Sequence, residues 1–188
     1  MAVEVVYARE PVPAGRPSVM LLGPTPRARS LVWWRPSSWR RPVPSWRPEA
    51  ISLFAERWRG DEPLVLLSPE SRGGIRAKHY DDQVASELEM IRAAAVRMFW
   101  IPRCVRTMPG FTTNVEAGMC LAEPERMVLG CPSDCADPVR NRYLIWHARR
   151  LGVPVPTTLS AAVDAALAGL HANRGAGIAR CCAPAWAA

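Results

Sequence analysis

The chain has 188 residues, of which 49% are hydrophobic and 22% charged, enough for one domain with a buried core and unlike a disordered polyelectrolyte. No apolar run approaches the length of a membrane span, and Glu4, Arg9 and Glu10 stand where an export signal would need an apolar stretch, so a cytoplasmic protein without a membrane partner is expected. The formal charge of +7 rests almost wholly on arginine, with Lys78 the only lysine and no arginine block, a pattern that argues against a nucleic-acid partner and suits phosphate on a small substrate.

The course of the chain reads as strands alternating with helices. A short β-rich run covers Glu4–Ala8, and a second apolar run, Ser18–Gly23, stops at Gly23-Pro24-Thr25-Pro26. Residues 29–48 hold Trp33, Trp34, Trp39 and Trp46 among prolines that forbid regular structure, and read as a long loop insertion. Ile51, Phe54, Ala55 and Trp58 are spaced for one face of a helix over Glu49–Trp58. Pro63–Leu67 reads as a buried strand, Asp81–Ala94 as a helix with Val84, Leu88 and Ile91 on one side, and Val96–Ile101 as a strand ended by Pro102. A helix begins near Asn114 and runs to Leu121. Met127–Gly130 is another strand, Pro138–Leu151 is helical, and Thr158–Leu170 is an amphipathic helix with Thr158 as its cap. The domain therefore spans 1–170, with a flexible tail over 171–188. Such alternation implies an α/β fold whose mainly parallel sheet is covered on both faces. Ligands bind such sheets beyond the carboxyl ends of the strands, so the loops after Leu22, Leu67, Ile101 and Gly130 are the ones to watch.

Cys131 and Cys135 are three residues apart, Cys181 and Cys182 are adjacent, and Cys104 and Cys120 stand alone. None makes the paired spacing of a zinc site, and His79, His147 and His171 do not complete one. Reduced thiols and no metal or other cofactor are expected.

The loop after Val96–Ile101 carries the densest chemistry. Phe111-Thr112-Thr113-Asn114 offers hydroxyl and amide groups, and Glu116 follows just inside a helix. There the unsatisfied N–H groups and the positive dipole end favour the anion, which suits a nucleophile. Thr113-Asn114-Val115-Glu116 equally fits a capping box, in which the carboxylate only satisfies a cap N–H. Spacing leaves both readings open. Glu87 or Glu89, on the preceding helix, offers a second carboxylate for acid–base work. Gly23, Pro24 and Arg27 form a tight turn beside a cation, and Trp46 with Arg47 offers a stacking surface and a further cation, or else ordinary packing.

Six blocks in order, Tyr7–Pro11, Leu22–Arg27, Ser45–Ala50, Tyr80–Val84, Phe99–Arg103 and Pro109–Glu116, together resemble the nucleoside 2-deoxyribosyltransferase-like proteins of bacteria, over roughly Val5 to Leu170. The resemblance implies a flavodoxin-like three-layer α/β/α fold and cleavage of an N-glycosidic bond. It places Glu116 as the nucleophile and Glu87 as the acid that assists the leaving base, the retaining arrangement in which two carboxyl groups stand roughly 5 Å apart. It implies that Thr112, Thr113 and Asn114 orient the sugar or a 5′ group, and that Trp100, Arg103 and Phe111 belong to the binding surface. A nucleoside or nucleotide with a nucleobase acceptor would be the substrates, hydrolysis the near alternative to transfer, and a homo-oligomer the assembly. A nucleotide-binding or interaction protein without catalysis is the reading from a different class. Gly110 stands where the classical transferases carry a base-binding aspartate.

Overall fold

A computed structural model describes residues 2–26, 43–74 and 77–175. Five strands, β1 (Val3–Tyr7), β2 (Ser18–Leu22), β3 (Leu64–Ser68), β4 (Val96–Trp100) and β5 (Met127–Gly130), form one sheet in the order β1-β3-β2-β4-β5, and every pairing is parallel. All residues of β2 to β5 are buried, and only the edge strand β1 alternates. This is why the central strands read as unbroken apolar runs: a sheet covered on both faces has no solvent side for polar residues to occupy.

Helices α1 (Arg47–Arg57) and α5 (Leu159–Gly175) cover one face. Phe54, Trp58, Val163 and Leu167 pack there against Leu21, Leu66 and Met98. Helices α2 (Tyr80–Ala93), α3 (Phe111–Cys120) and α4 (Arg142–Arg150) cover the other, where Met90, Ala117 and Leu144 meet Met20, Leu67, Phe99 and Leu129. The fold is thus a three-layer α/β/α sandwich of the flavodoxin-like type. No helix of the described residues is long and apolar enough to cross a membrane.

Several boundaries differ from those expected. Helix α1 starts at Arg47, inside the expected loop 29–48, because Pro48 occupies its first turn, where the missing N–H costs nothing. Trp33, Trp34 and Trp39 lie outside the described residues. Helix α3 starts at Phe111, three residues early, with Gly110 as its N-cap in the left-handed conformation (φ 64°). Thr113 is therefore inside the helix, and the capping box is not formed. The expected helix 138–151 opens as a 3-10 turn over Pro138–Asn141 before α4. Thr158 does cap α5, its Oγ1 accepting the Ala161 N–H at 3.2 Å. The helix continues past residue 170 to Gly175, so 171–175 belong to the domain and not to a tail. His171 stacks on Trp58 and Asn173 donates to the Ala95 carbonyl at 3.2 Å, anchoring this last part.

Strand β2 is the pivot of the topology. The chain leaves it through α1 to reach β3 on one side, then returns through α2 to place β4 on the other. The carboxyl ends of β2 and β4 therefore diverge at a switch point, where such sheets open a crevice.

Candidate active site

A cavity of about 260 Å³ lies at that switch point. Gly23, Pro24 and Thr25 after β2, Pro69 after β3, and Pro109 to Thr112 after β4 form its walls, joined by Arg47, Glu87 and Glu116. Helix α2 brings Glu87 and helix α3 brings Glu116 from separate directions, and both are half-buried.

The two carboxyl groups feel each other. Burial raises Glu116 first, the charge of Glu87 raises it further, and the Arg47 guanidinium opposes both; the net result is a pKa of about 7. Glu87 is also raised by burial, against a Gln83 hydrogen bond and the charge of Arg47. Gln83 Nε2 donates to Glu87 Oε1 at 2.7 Å and to the Pro69 carbonyl at 2.9 Å. The amide thus ties α2 to the loop after β3 while it holds Glu87 in place. The expectation that Glu116 is held anionic by a helix N-terminus fails. With α3 starting at Phe111, Glu116 sits in its second turn, beyond reach of the N-terminal dipole, in a site dry enough to favour the neutral acid.

Arg47 is fully buried, and its guanidinium is the keystone of one wall. Its Nε donates to the Leu21 carbonyl at 3.1 Å and its Nη2 to the Gly23 carbonyl at 2.8 Å. Nη1 donates to Thr25 Oγ1 at 3.0 Å and to Glu70 Oε1 at 2.9 Å. Four of the five N–H donors of a guanidinium are thereby engaged within the protein. Burial lowers the Arg47 pKa, and Glu70, Glu116 and Glu87 oppose that shift. Arg47 therefore shapes the turn and lends positive charge to the carboxyl pair.

Arg103 does the corresponding work behind the opposite wall. Its Nη1 donates to the Pro109 carbonyl, its Nη2 to Asn114 Oδ1 at 2.7 Å and its Nε to Asn141 Oδ1. Asn141 in turn donates to the Ile101 carbonyl at 3.1 Å. The side chain is buried and does not line the cavity.

Of the residues expected to bind substrate, Gly23, Pro24, Arg47, Phe111 and Thr112 line the cavity with Glu87 and Glu116. Trp46, Trp100, Arg103 and Thr113 are buried behind it, and Asn114 is bonded to Arg103. Trp46 is therefore packing: its Nε1 donates to the Pro24 carbonyl at 3.3 Å while Arg47 covers its ring at 4.8 Å. A Cβ on Gly23 would lie 2.2 Å from the Trp100 carbonyl oxygen, so only glycine allows β2 and β4 to approach so closely here. Arg27 lies outside the described residues. Thr25, Pro69 and Gln83 were not expected; of these, the i,i+4 spacing of Gln83 and Glu87 was the available signal.

Among the described residues no group of three or more His, Cys, Asp or Glu side chains gathers as a metal site. No protein-family model matches the chain, and no curated protein matches it.

Proposed function

We propose that the protein cleaves the N-glycosidic bond of a nucleoside or nucleotide through a covalent glycosyl–Glu116 intermediate and transfers the sugar to a second nucleobase. The observation that carries this reading is the pair of half-buried carboxyl groups sharing one cavity, with Glu116 raised to about 7. Both carboxyl groups are raised by burial, so the pair keeps a proton at pH values where ordinary carboxyl groups would have lost both. Double displacement needs that state: one carboxylate to attack and one acid to protonate the leaving group.

Burial favours the neutral form of Glu116, so reaction requires the proton to stand on Glu87 instead, leaving the charge on Glu116 beside the Arg47 guanidinium. Glu116 attacks the anomeric carbon, the C–N bond breaks with its electron pair going to the base, and Glu87 supplies a proton to that base. A glycosyl ester on Glu116 results. Glu87, now a carboxylate, takes a proton from the incoming base as its nitrogen displaces Glu116. The resemblance to nucleoside 2-deoxyribosyltransferase-like proteins supports the same assignment of roles. One feature favours hydrolysis as a second reading: Phe111, on the cavity wall, is 67% exposed. Water has a path to the ester unless substrate or another chain covers that side.

The test is incubation with deoxynucleosides and nucleoside monophosphates, with and without an acceptor base, followed by chromatography of the free bases. Exchange only with acceptor supports transfer, and release without it supports hydrolysis. Glu116→Ala should lower either rate by at least about a thousandfold, and mass spectrometry should find the pentosyl adduct on the peptide carrying Glu116. Equal rates in the wild type and Glu116→Ala would end the proposal.

A further inference from the structure

A second and larger cavity, about 540 Å³, lies between α3 and α4, on the side of α3 turned away from Glu116. Gly118, Leu121, Leu144 and Leu151 supply an apolar floor, and Asn114, Arg140, Tyr143 and His147 a polar and aromatic rim. Its size falls within the range of small-molecule pockets.

Three observations indicate what it accepts. First, the charge is of one sign. No acidic side chain lines the groove, and residues 138–152 contain Arg140, Arg142, Arg149 and Arg150 with no Asp or Glu. The Arg140 side chain is exposed and enters no ion pair among the described residues. Second, the rim is aromatic. His147 meets the Tyr143 ring edge-on at 4.5 Å, and Tyr143 is 75% exposed. A large ring left this open offers its face to a flat ligand. Third, α3 carries a glycine in its interior, where any other ordinary residue would make a better helix. A Cβ on Gly118 would meet nothing within 4 Å, so packing does not require the glycine. What its bareness does is keep the groove open.

We infer that the α3–α4 groove is a binding site for a planar aromatic ring bearing an anionic group, with the ring between the apolar floor and Tyr143 or His147 and the anion on Arg140. It stands independently of the chemistry proposed for the Glu116 cavity. The anionic ring can come from a nucleotide or from an aromatic carboxylate, and the two are separable by probe.

The experiment follows the His147 ring proton signals by NMR, one of only three histidines in the chain, assigned through His147→Gln. The full-length protein is titrated with adenosine monophosphate, adenosine, inorganic phosphate and indole-3-carboxylate. Saturable shifts are expected with adenosine monophosphate, indole-3-carboxylate or both, and the tighter probe identifies the source. Adenosine and phosphate alone should bind at least about tenfold more weakly, because each lacks one half of the recognised chemistry. Arg140→Gln should weaken the anionic probe about tenfold. Gly118→Leu, which has room for its side chain, should abolish the shift, and Glu116→Gln should leave it unchanged. Absence of a His147 response to any probe at millimolar concentration overturns the proposal. So does a response that persists in both groove variants, or an adenosine monophosphate response lost in Glu116→Gln. A concentration-dependent dimer that shields Tyr143 and excludes the probes overturns it as well, since the groove is then an interface.

Discussion

Arg47 and Arg103 secure opposite walls of one cavity by the same device, a buried guanidinium that gathers loop carbonyls. Arg47 ties the turn after β2 through the carbonyls of Leu21 and Gly23, and Arg103 ties the loop after β4 through Pro109 and Asn114. They differ in what their charge reaches. Arg47 lines the cavity and lowers the pKa of both carboxyl groups, whereas neither Glu87 nor Glu116 acts on Arg103, whose carboxylate neighbour is Asp137, outside the cavity lining. One arginine is scaffold and electrostatic partner together, and the other is scaffold.

The largest expected effects test that division. Arg47→Met and Arg103→Met should each lower unfolding free energy by about 3–5 kcal/mol in urea titrations, because each strands several buried acceptors. Stability should not distinguish them, but titration should. Loss of Arg47 removes the cation that favours ionisation, so Glu116 should titrate above its present value of about 7. Arg103→Met should leave that midpoint in place, as read from the carboxyl ¹³C shifts of Glu116. Where Arg47→Met does not fold, Arg47→Lys keeps the charge but loses the fork, and should hold the midpoint near its wild-type position while still destabilising the turn. Equal midpoint shifts in the two arginine variants would erase the distinction.

A smaller effect concerns the carboxyl pair itself. Glu116 has a folded pKa of about 7 against an ordinary 4.5. Between those values the folded protein keeps a proton that the unfolded chain has lost, so stability falls as pH rises through the interval and levels off above it. The size is at most about 3 kcal/mol, reduced by the solvent access of a half-buried group. Glu116→Gln carries no titratable proton there. Melting curves at pH 5 and pH 8 should show the wild type losing stability relative to the variant as pH rises. A constant difference between the two proteins would mean that the cavity does not raise Glu116.

The layers of the fold were legible because parallel strands buried on both faces leave a plain mark, as in Val-Met-Leu-Leu at 19–22 and Leu-Val-Leu-Leu at 64–67. Glu116 was legible as a candidate from its place on the helix after β4, whereas position left Glu87 and Glu89 open and only the family resemblance chose Glu87. The protonation of Glu116 was not legible. Thr113-Asn114-Val115-Glu116 matches a cap motif residue for residue, and only the left-handed backbone at Gly110 moves the helix start to Phe111 and Glu116 into a drier second turn. Trp46 and Arg103 misled for a related reason. A large aromatic or a cation beside a site motif reads the same whether it faces the ligand or props the wall, and burial alone separates the two. The groove between α3 and α4 had no local signature either, since strand β5 separates its two sides in the chain.

The smallest prediction uses two single bonds matched across the walls. Thr25 and Asn114 are exposed residues that each accept one N–H, from Arg47 at 3.0 Å and from Arg103 at 2.7 Å respectively. Thr25→Val and Asn114→Ala should each cost only about 0.5–1.5 kcal/mol, because water can replace the lost acceptor at an exposed position. Melting temperatures should fall by similar small amounts, a few degrees each. Their consequences for base release should still diverge. Removing the Thr25 hydroxyl frees a second Arg47 N–H at the cavity wall, beside the carboxyl groups that Arg47 serves, so the substrate dependence of the rate should change. Removing the Asn114 amide loosens a contact behind the loop after β4 and should leave that dependence close to wild type. If Asn114→Ala altered base release as strongly as Thr25→Val at equal loss of stability, Arg103 would be reaching the cavity through α3, and the two arginines would differ in degree and not in kind.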